Sequence, residues 1–391
     1  MGDVYLVESL RTPFGSFGGA LAQRRAPELA AAVIGGLLAR TGLPGEAVDE
    51  VIVGQVLSGG CGQAPARQAM RLAGLPDAVH ALTINKVCGS GLKAITLGAG
   101  AIALGEAELV IAGGMESMST APYFLRKARS GYRLGHGEIF DLMIYDGLQD
   151  PYSGRLMGEI AEESAARHGL SRADQDEYAL RSYRLARTAL REGIFGDEIV
   201  PVRPAPEGMA EPVTDDEEPF AVDLDRLPHL RPAFRKEGTI TAGNASTISD
   251  GAALTLLAGE AALKRCNLHP RARLVATATE SRHPDRFPEA PEGAIRRVCA
   301  RAGLSLGEID LFEINEAFAA VALYAIGTLQ LDPARVNVNG GAVALGHPIG
   351  ASGGRLVATL VRELGRRQGR YGLATLCNGG GEAVAAIFER L

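Results

Sequence analysis

The sequence predicts an α/β fold of two duplicated halves that carry a long insertion, and three observations predict it. First, blocks of sequence recur in the same order at nearly one offset. VDEVIVGQ at 48–55 is answered by IDLFEINE at 309–316, NKVCGSGLKAITLGAGAIALG at 85–105 by VALGHPIGASGGRLVATLVREL at 343–364, and LVIAGGMES at 109–117 by LATLCNGGGEA at 373–383. Recurrence at a fixed spacing marks a repeated structural unit. Second, each half reads helix, strand, glycine-rich turn opening a helix, then an apolar strand ending in glycines. That βαβ grammar predicts a mostly parallel, helix-covered sheet in each half, with the two halves stacked. Third, the chain has 391 residues, 46% of them hydrophobic and 5% aromatic, with no Trp and with 50 glycines that follow no period. Collagen-like and low-complexity chains are thereby excluded.

The elements follow in chain order. The start, MGDVYLVESL, carries acidic residues and no apolar core of signal-peptide length, so the five cysteines are expected to be reduced and the protein cytoplasmic. An amphipathic helical pattern ends in the turn Gly42-Leu43 before the strand at 48–55, and its counterpart ends at Gly303-Leu304. Apolar stretches such as AAVIGGLLA at 31–39 fall short of the ~20 residues of a membrane span, and no membrane association is expected. Residues 119–248 have no counterpart in the other half. They begin with a turn-rich run, continue with helical patterns at about 155–169 and 172–192, and then become acidic and Pro-rich in PAPEGMAEPVTDDEEPF at 204–220. Long insertions of this kind in compact enzymes tend to serve the site. The expected division is therefore 1–118 with 249–270 as an N-terminal half, 119–248 as an inserted loop domain, and 271–391 as a C-terminal half. With 40 Lys and Arg against 46 Asp and Glu, the net charge of −6 offers nucleic acid no bulk attraction. The irregular insertion and the sheet edges of two halves predict an obligate oligomer in which a twofold partner covers those edges.

Chemistry concentrates at the glycine-rich turns. Cys88 falls where a strand pattern gives way to a helix, and free N–H groups and the dipole at a helix N-terminus are expected to lower a thiol pKa. Gly89-Ser90-Gly91-Leu92-Lys93-Ala94 also fits a dinucleotide fingerprint, but no acidic residue stands where the next strand should end, which argues against a nucleotide site. His347 sits at the turn matching Cys88, so pseudo-twofold packing would pair the two, and a Cys–His pair makes a thiol nucleophilic. Cys377 precedes Gly379 and further glycines whose N–H groups could line an oxyanion site, and Asn315 ends another strand where it could orient a water or a ring. Cys61, Cys266 and Cys299 have no such setting and read as structural. No spacing of Cys, His and carboxylates resembles a metal cage, so no metal is expected.

Together these motifs resemble the thiolases. Asn85 through Ala94 looks like their nucleophile motif, Asn339-Gly340-Gly341-Ala342 through Gly346-His347-Pro348 like their histidine motif, and Cys377-Asn378-Gly379-Gly380-Gly381 like their second cysteine motif. Asn315-Glu316-Ala317-Phe318, the run GGMESMS at 113–119 and Thr241-Ala242-Gly243-Asn244-Ala245-Ser246 also match, so the resemblance covers the whole chain. It implies a five-layered fold and an acetyl-CoA C-acyltransferase that condenses two acetyl-CoA or thiolyses a 3-oxoacyl-CoA. In these roles Cys88 would carry the acyl group, His347 would activate it and Cys377 would handle the α-proton. The resemblance further implies one oxyanion hole from His347 with a water on Asn315, and another from the N–H groups of Cys88 and Gly379. Ser246 would touch pantetheine, and Leu156, Met157 and Phe318 would meet the substrate. No cofactor is implied beyond coenzyme A as substrate and product. Related ketosynthase-type enzymes typically place a histidine where Cys377 stands. Short-chain members usually carry His-Met-Gly where this chain has Leu156-Met157-Gly158, which leaves a degradative longer-chain or β-ketoadipyl-CoA thiolase as an alternative. A thiolase-like acyl-CoA or lipid carrier without turnover is the alternative of another class. The coenzyme's phosphates are expected near the acidic piece at 211–225.

Overall fold

The computed structural model describes residues 2–205 and 210–391, so residues 206–209 of the acidic, Pro-rich piece lie outside the described residues. The strands that build the core are β1 (Val4–Arg11), β2 (Glu50–Gly54), β3 (His80–Ile84), β4 (Leu109–Ser117), β5 (Ser249–Gly259), β6 (Ala272–Ser281), β7 (Leu311–Ile314), β8 (Tyr371–Asn378) and β9 (Glu382–Arg390). Among the described residues they form one path, β7-β8-β9-β6-β1-β5-β4-β2-β3. Its two ends repeat each other: β1-β5-β4-β2 corresponds to β6-β9-β8-β7, and the place of β3 is taken in the second half by a single parallel bridge of Val336 to Phe312. The halves join where β1 meets β6 antiparallel over Tyr5–Arg273 and Leu6–Ala272.

Alternation along the strands sorts the helices into layers. Val51 and Val53 of β2 and Leu254 and Leu256 of β5 face α1 (Ala26–Thr41) and α2 (Pro65–Leu72) on one outer side. Ile52 and Leu257 face the other way, onto α3 (Ser90–Leu104). In the second half, Val384 and Phe388 of β9 face α8 (Ser352–Arg367), while Ala385 and Ile387 face α6 (Ala290–Ala302) and α7 (Ala319–Leu329) outside. The two central helices α3 and α8 share one core with both sheets, which gives five layers, helix-sheet-helix-sheet-helix. This central position explains why Val87–Leu104, with a mean hydropathy of 1.5, is apolar enough by length and composition to cross a membrane: half of it is buried in the core between the two sheets.

One expectation is corrected. The sheets are mixed rather than mostly parallel: β2–β3, β2–β4 and β7–β8 run parallel, whereas β1–β5, β4–β5, β8–β9, β6–β9 and β1–β6 run antiparallel. A helical crossover makes a parallel pair, but β9 returns from β8 by a hairpin over residues 379–381 and pairs antiparallel.

Between β4 and β5 the chain leaves the first half and lies over the second. Helix α4 (Met157–Arg167) sets Ile160, Ala161 and Ala165 against Phe287, Phe318 and Val321, and α5 (Arg172–Arg191) sets Ala179, Tyr183 and Ala186 against residues 343–345. Polar anchors fix this arrangement. Buried Glu316 accepts hydrogen bonds from Tyr178 Oη (2.9 Å) and Ser182 Oγ (2.7 Å) of α5, and Arg11 of β1 pairs with Glu198 and Asp216 (both 2.6 Å). All of these ionic groups are buried, so removing one partner would strand a charge.

Candidate active site

Cys88 stands two residues before α3, in a turn that its neighbours hold tightly. Asn85 Oδ1 accepts the Val87 N–H (2.8 Å), the Lys86 N–H donates to Ser90 Oγ (2.8 Å), and Ser90 Oγ donates to Val87 O (2.7 Å). Val87 has φ +48°, an unfavourable value for a β-branched residue, and this network offsets the strain. Gly89 has no room for a side chain, because a Cβ there would lie 2.6 Å from Asn378 Oδ1. The nucleophile turn of one half therefore sits directly against the end of β8 in the other.

The partner turn supplies His347, five residues before α8 rather than two. Ser352, the first residue of α8, lies 2.6 Å from His347 Nδ1 and donates its own proton to Pro348 O (3.0 Å). With that proton directed at Pro348 O, the Oγ accepts the Nδ1–H, an arrangement that leaves Nε2 unprotonated and facing the Asn315 amide donor. Asn315 Nδ2 lies 3.4 Å from that Nε2, and Asn315 Oδ1 is buried without a partner.

These groups converge on a cavity of about 520 Å³. Cys88, His347, Cys377 and Gly379 line it, as do Ser246, Leu156, Met157 and Phe318; Asn315 does not line it and reaches it through His347. The insertion supplies one wall and the two halves the other. Apolar side chains dominate: Met143, Ile144, Leu148, Phe234 and Phe287 add to those expected from sequence. Cys61, Cys266 and Cys299 do not line the cavity. Among the described residues no group of three or more His, Cys, Asp or Glu is placed to hold a metal ion.

Residues 4–261 match the family described as Thiolase, N-terminal domain, and residues 268–390 match Thiolase, C-terminal domain. The chain belongs to the thiolase family. It is 50% identical over 393 residues to "Acetyl-CoA acetyltransferase" of Pseudomonas aeruginosa and 50% identical over 391 residues to "Probable acetyl-CoA acetyltransferase" of Escherichia coli, with all of each chain covered. The crystal structure of the Bacillus anthracis acetyl-CoA acetyltransferase superposes with a TM-score of 0.96 at 42% identity, covering 100% of this chain and 99% of that one.

The electrostatics of this thiolase site correct a second expectation. Burial pushes the Cys88 thiol up to about 12, even though the backbone N–H groups of Gly379 and of Cys88 itself favour the thiolate, and the carboxylate of Glu116 pushes the same way as burial. These two N–H groups pull toward the thiolate, but desolvation outweighs them. Burial, helped by Arg355, drops His347 to about 3, and burial with the neighbouring Cys88 raises Cys377 well above the ordinary thiol range. At neutral pH the two thiols and the imidazole all rest uncharged. Such a site moves protons between its members during bond making and holds no ion pair in advance.

Sequence reasoning missed Ser352 and Glu116. Ser352 carried one faint signal, its place at the start of the helix after His347. Glu116 lies in the GGMESMS run, but only the folded chain brings it to the histidine loop.

Proposed function

We propose that this thiolase is an acetyl-CoA C-acyltransferase that works through an acyl-Cys88 intermediate, in the direction of condensing two acetyl-CoA or of thiolysing a 3-oxoacyl-CoA. The observation that carries this reading is the convergence of Cys88, His347 and Cys377 on one apolar cavity, with the Gly379 N–H aimed at the Cys88 sulfur. His347 Nε2 takes the Cys88 proton as the sulfur attacks the thioester carbonyl. The N–H groups of Cys88 and Gly379 hold the resulting oxyanion. Departing coenzyme A thiolate takes its proton from Cys377, which leaves Cys377 as the base for the α-proton of the second acetyl-CoA. Asn315, beside His347, serves the enolate that forms. Attack of this carbanion on the acyl-Cys88 carbonyl releases the Cys88 sulfur, which recovers its proton from His347, so each proton is accounted for.

The acyl-CoA is the substrate, and no permanently bound cofactor enters the scheme. Ser246, Met157, Leu156 and Phe318 line the cavity and are assigned to substrate and pantetheine. In the piece at 211–225, Asp216 pairs with Arg11 and Glu217 accepts the Ser16 and Ala20 N–H groups, so these two carboxylates are already engaged. Arg231 and Lys236, which flank cavity-lining Ala233 and Phe234, offer the complementary charge, whereas Arg235 is paired with Glu163. Strand β3 ends the sheet path with Leu82 exposed, which supports a homodimer or homotetramer in which a second copy covers that edge. A cytoplasmic setting fits the reduced cysteines.

An apolar wall with Leu156 should accept added methylenes, each contributing ~0.8 kcal/mol when buried. The test is a spectrophotometric thiolysis assay across 3-oxoacyl-CoA chain lengths. Turnover beyond four carbons supports the longer-chain reading, activity confined to acetoacetyl-CoA removes it, and tight acyl-CoA binding with no turnover would favour the carrier.

A further inference from the structure

Glu116, near the end of β4, is completely buried and takes no part in the chemistry above. Its carboxylate accepts three backbone N–H groups from two different halves: Val56 (3.0 Å) and Leu57 (3.1 Å) of the first, and Gly350 (2.9 Å) of the second. The approach is close enough to require glycine, since a Cβ on Gly350 would meet Met115 O at 2.6 Å and Glu116 Oε2 at 2.7 Å. Gly350 closes the stretch that begins with His347, and Ile349 between them lines the cavity while packing with Val56, Leu57 and Met143.

We propose that Glu116 is a positioning residue for the His347 base, a latch whose carboxylate ties the histidine loop of one half to residues 56–57 of the other and keeps Nε2 in register with Cys88. This rests on the thiolase reading above. Among the described residues, the ionisable groups that face the carboxylate are Asp250 of β5 and the thiols of Cys61 and Cys88, and no cation pairs with it. Burial and Asp250 push it up to about 7 against the three N–H donors. Above that pH the carboxylate accepts from all three donors. Below it the acid turns an O–H toward at least one of them, and the latch loosens.

The activity of the wild type should therefore rise with pH through about 7. Glu116→Gln, whose amide imitates the protonated acid, should hold the folded enzyme at the low-pH activity throughout, on the order of ten- to a hundred-fold below the wild-type plateau. Its KM for coenzyme A should be unchanged. Glu116→Asp keeps an ionisable group and should retain a limb. The rival source of such a limb is Glu313, which burial raises to about 8 beside Arg355. That limb would survive in Glu116→Gln. The experiment is the pH profile of kcat/KM for thiolysis between pH 5.5 and 9 in wild type and both variants, with thermal melts as the folding control. A folded Glu116→Gln with the wild-type plateau and limb overturns the latch. So does a wild-type profile that is flat from pH 6 to 8, whether or not the variant folds. Absence of any turnover in wild type would instead defeat the functional reading, so the two failures are distinguishable.

Discussion

Ser352→Ala should damage the enzyme without touching a reacting group. The His347 ring is buried, and Ser352 Oγ at 2.6 Å is the acceptor that fixes the proton on Nδ1. Deleting the hydroxyl leaves that N–H unpaired, at ~1–3 kcal/mol for an unsatisfied buried group. The ring can escape the penalty by moving its proton to Nε2, but then it cannot accept a proton from Cys88. Either outcome raises the barrier to acylation. At ~1.4 kcal/mol per factor of ten, acetylation of Cys88 should slow ~5- to 150-fold. The assay is single-turnover transfer of labelled acetyl from acetyl-CoA to the Cys88 peptide after acid quench, with Ser352→Thr retaining the hydroxyl as a control. A folded Ser352→Ala enzyme that acylates within two-fold of wild type would refute the tautomer argument.

Two further outcomes test the division of labour and the resting charge state. Cys377→Ala should still acquire acetyl on Cys88, more slowly because the departing thiolate must then take its proton from water, but lose condensation and exchange of α-protons into deuterated water, because a positioned base contributes typically ~10²–10⁴-fold to a rate; label transferring to Cys377 in the wild type, or normal condensation by the variant, would overturn the roles. Iodoacetamide alkylation of Cys88 should accelerate steadily as pH is raised through 9 and 10, since a thiol pushed up to about 12 remains protonated well above the range of a free cysteine and gains thiolate across that span. A rate that levels off near pH 7 would mean that a thiolate–imidazolium pair already exists at rest, contrary to the low His347 value.

Short stretches of sequence pointed to the turns expected to carry the chemistry. Strand-to-turn-to-helix transitions are local, so the glycine-flanked turns at Cys88, His347 and Cys377 were legible from short stretches, and the duplication showed that two of them are counterparts. The residues expected at the site all gather at the cavity apart from Asn315, which joins through His347. Strand direction was less legible. The βαβ pattern announces crossovers, whereas the pairing of β5 with β1 and β4 depends on a chain that returns after more than a hundred residues and carries no local mark of its direction.

The charge state of the site follows from long-range packing that no local stretch of sequence records. A helix N-terminus can be read from sequence and argues for a thiolate, but the desolvation that overrides it comes from the two sheets, two central helices and insertion packed around Cys88, which lines the cavity half-buried. Ser352 and Glu116 escaped for a related reason. A serine and a glutamate are unremarkable in composition, and each gains its role from a partner that folding supplies: the imidazole turned toward α8, and the three N–H groups that two halves bring to one carboxylate. Local geometry is written in neighbouring residues, while protonation state depends on how much water the whole fold excludes.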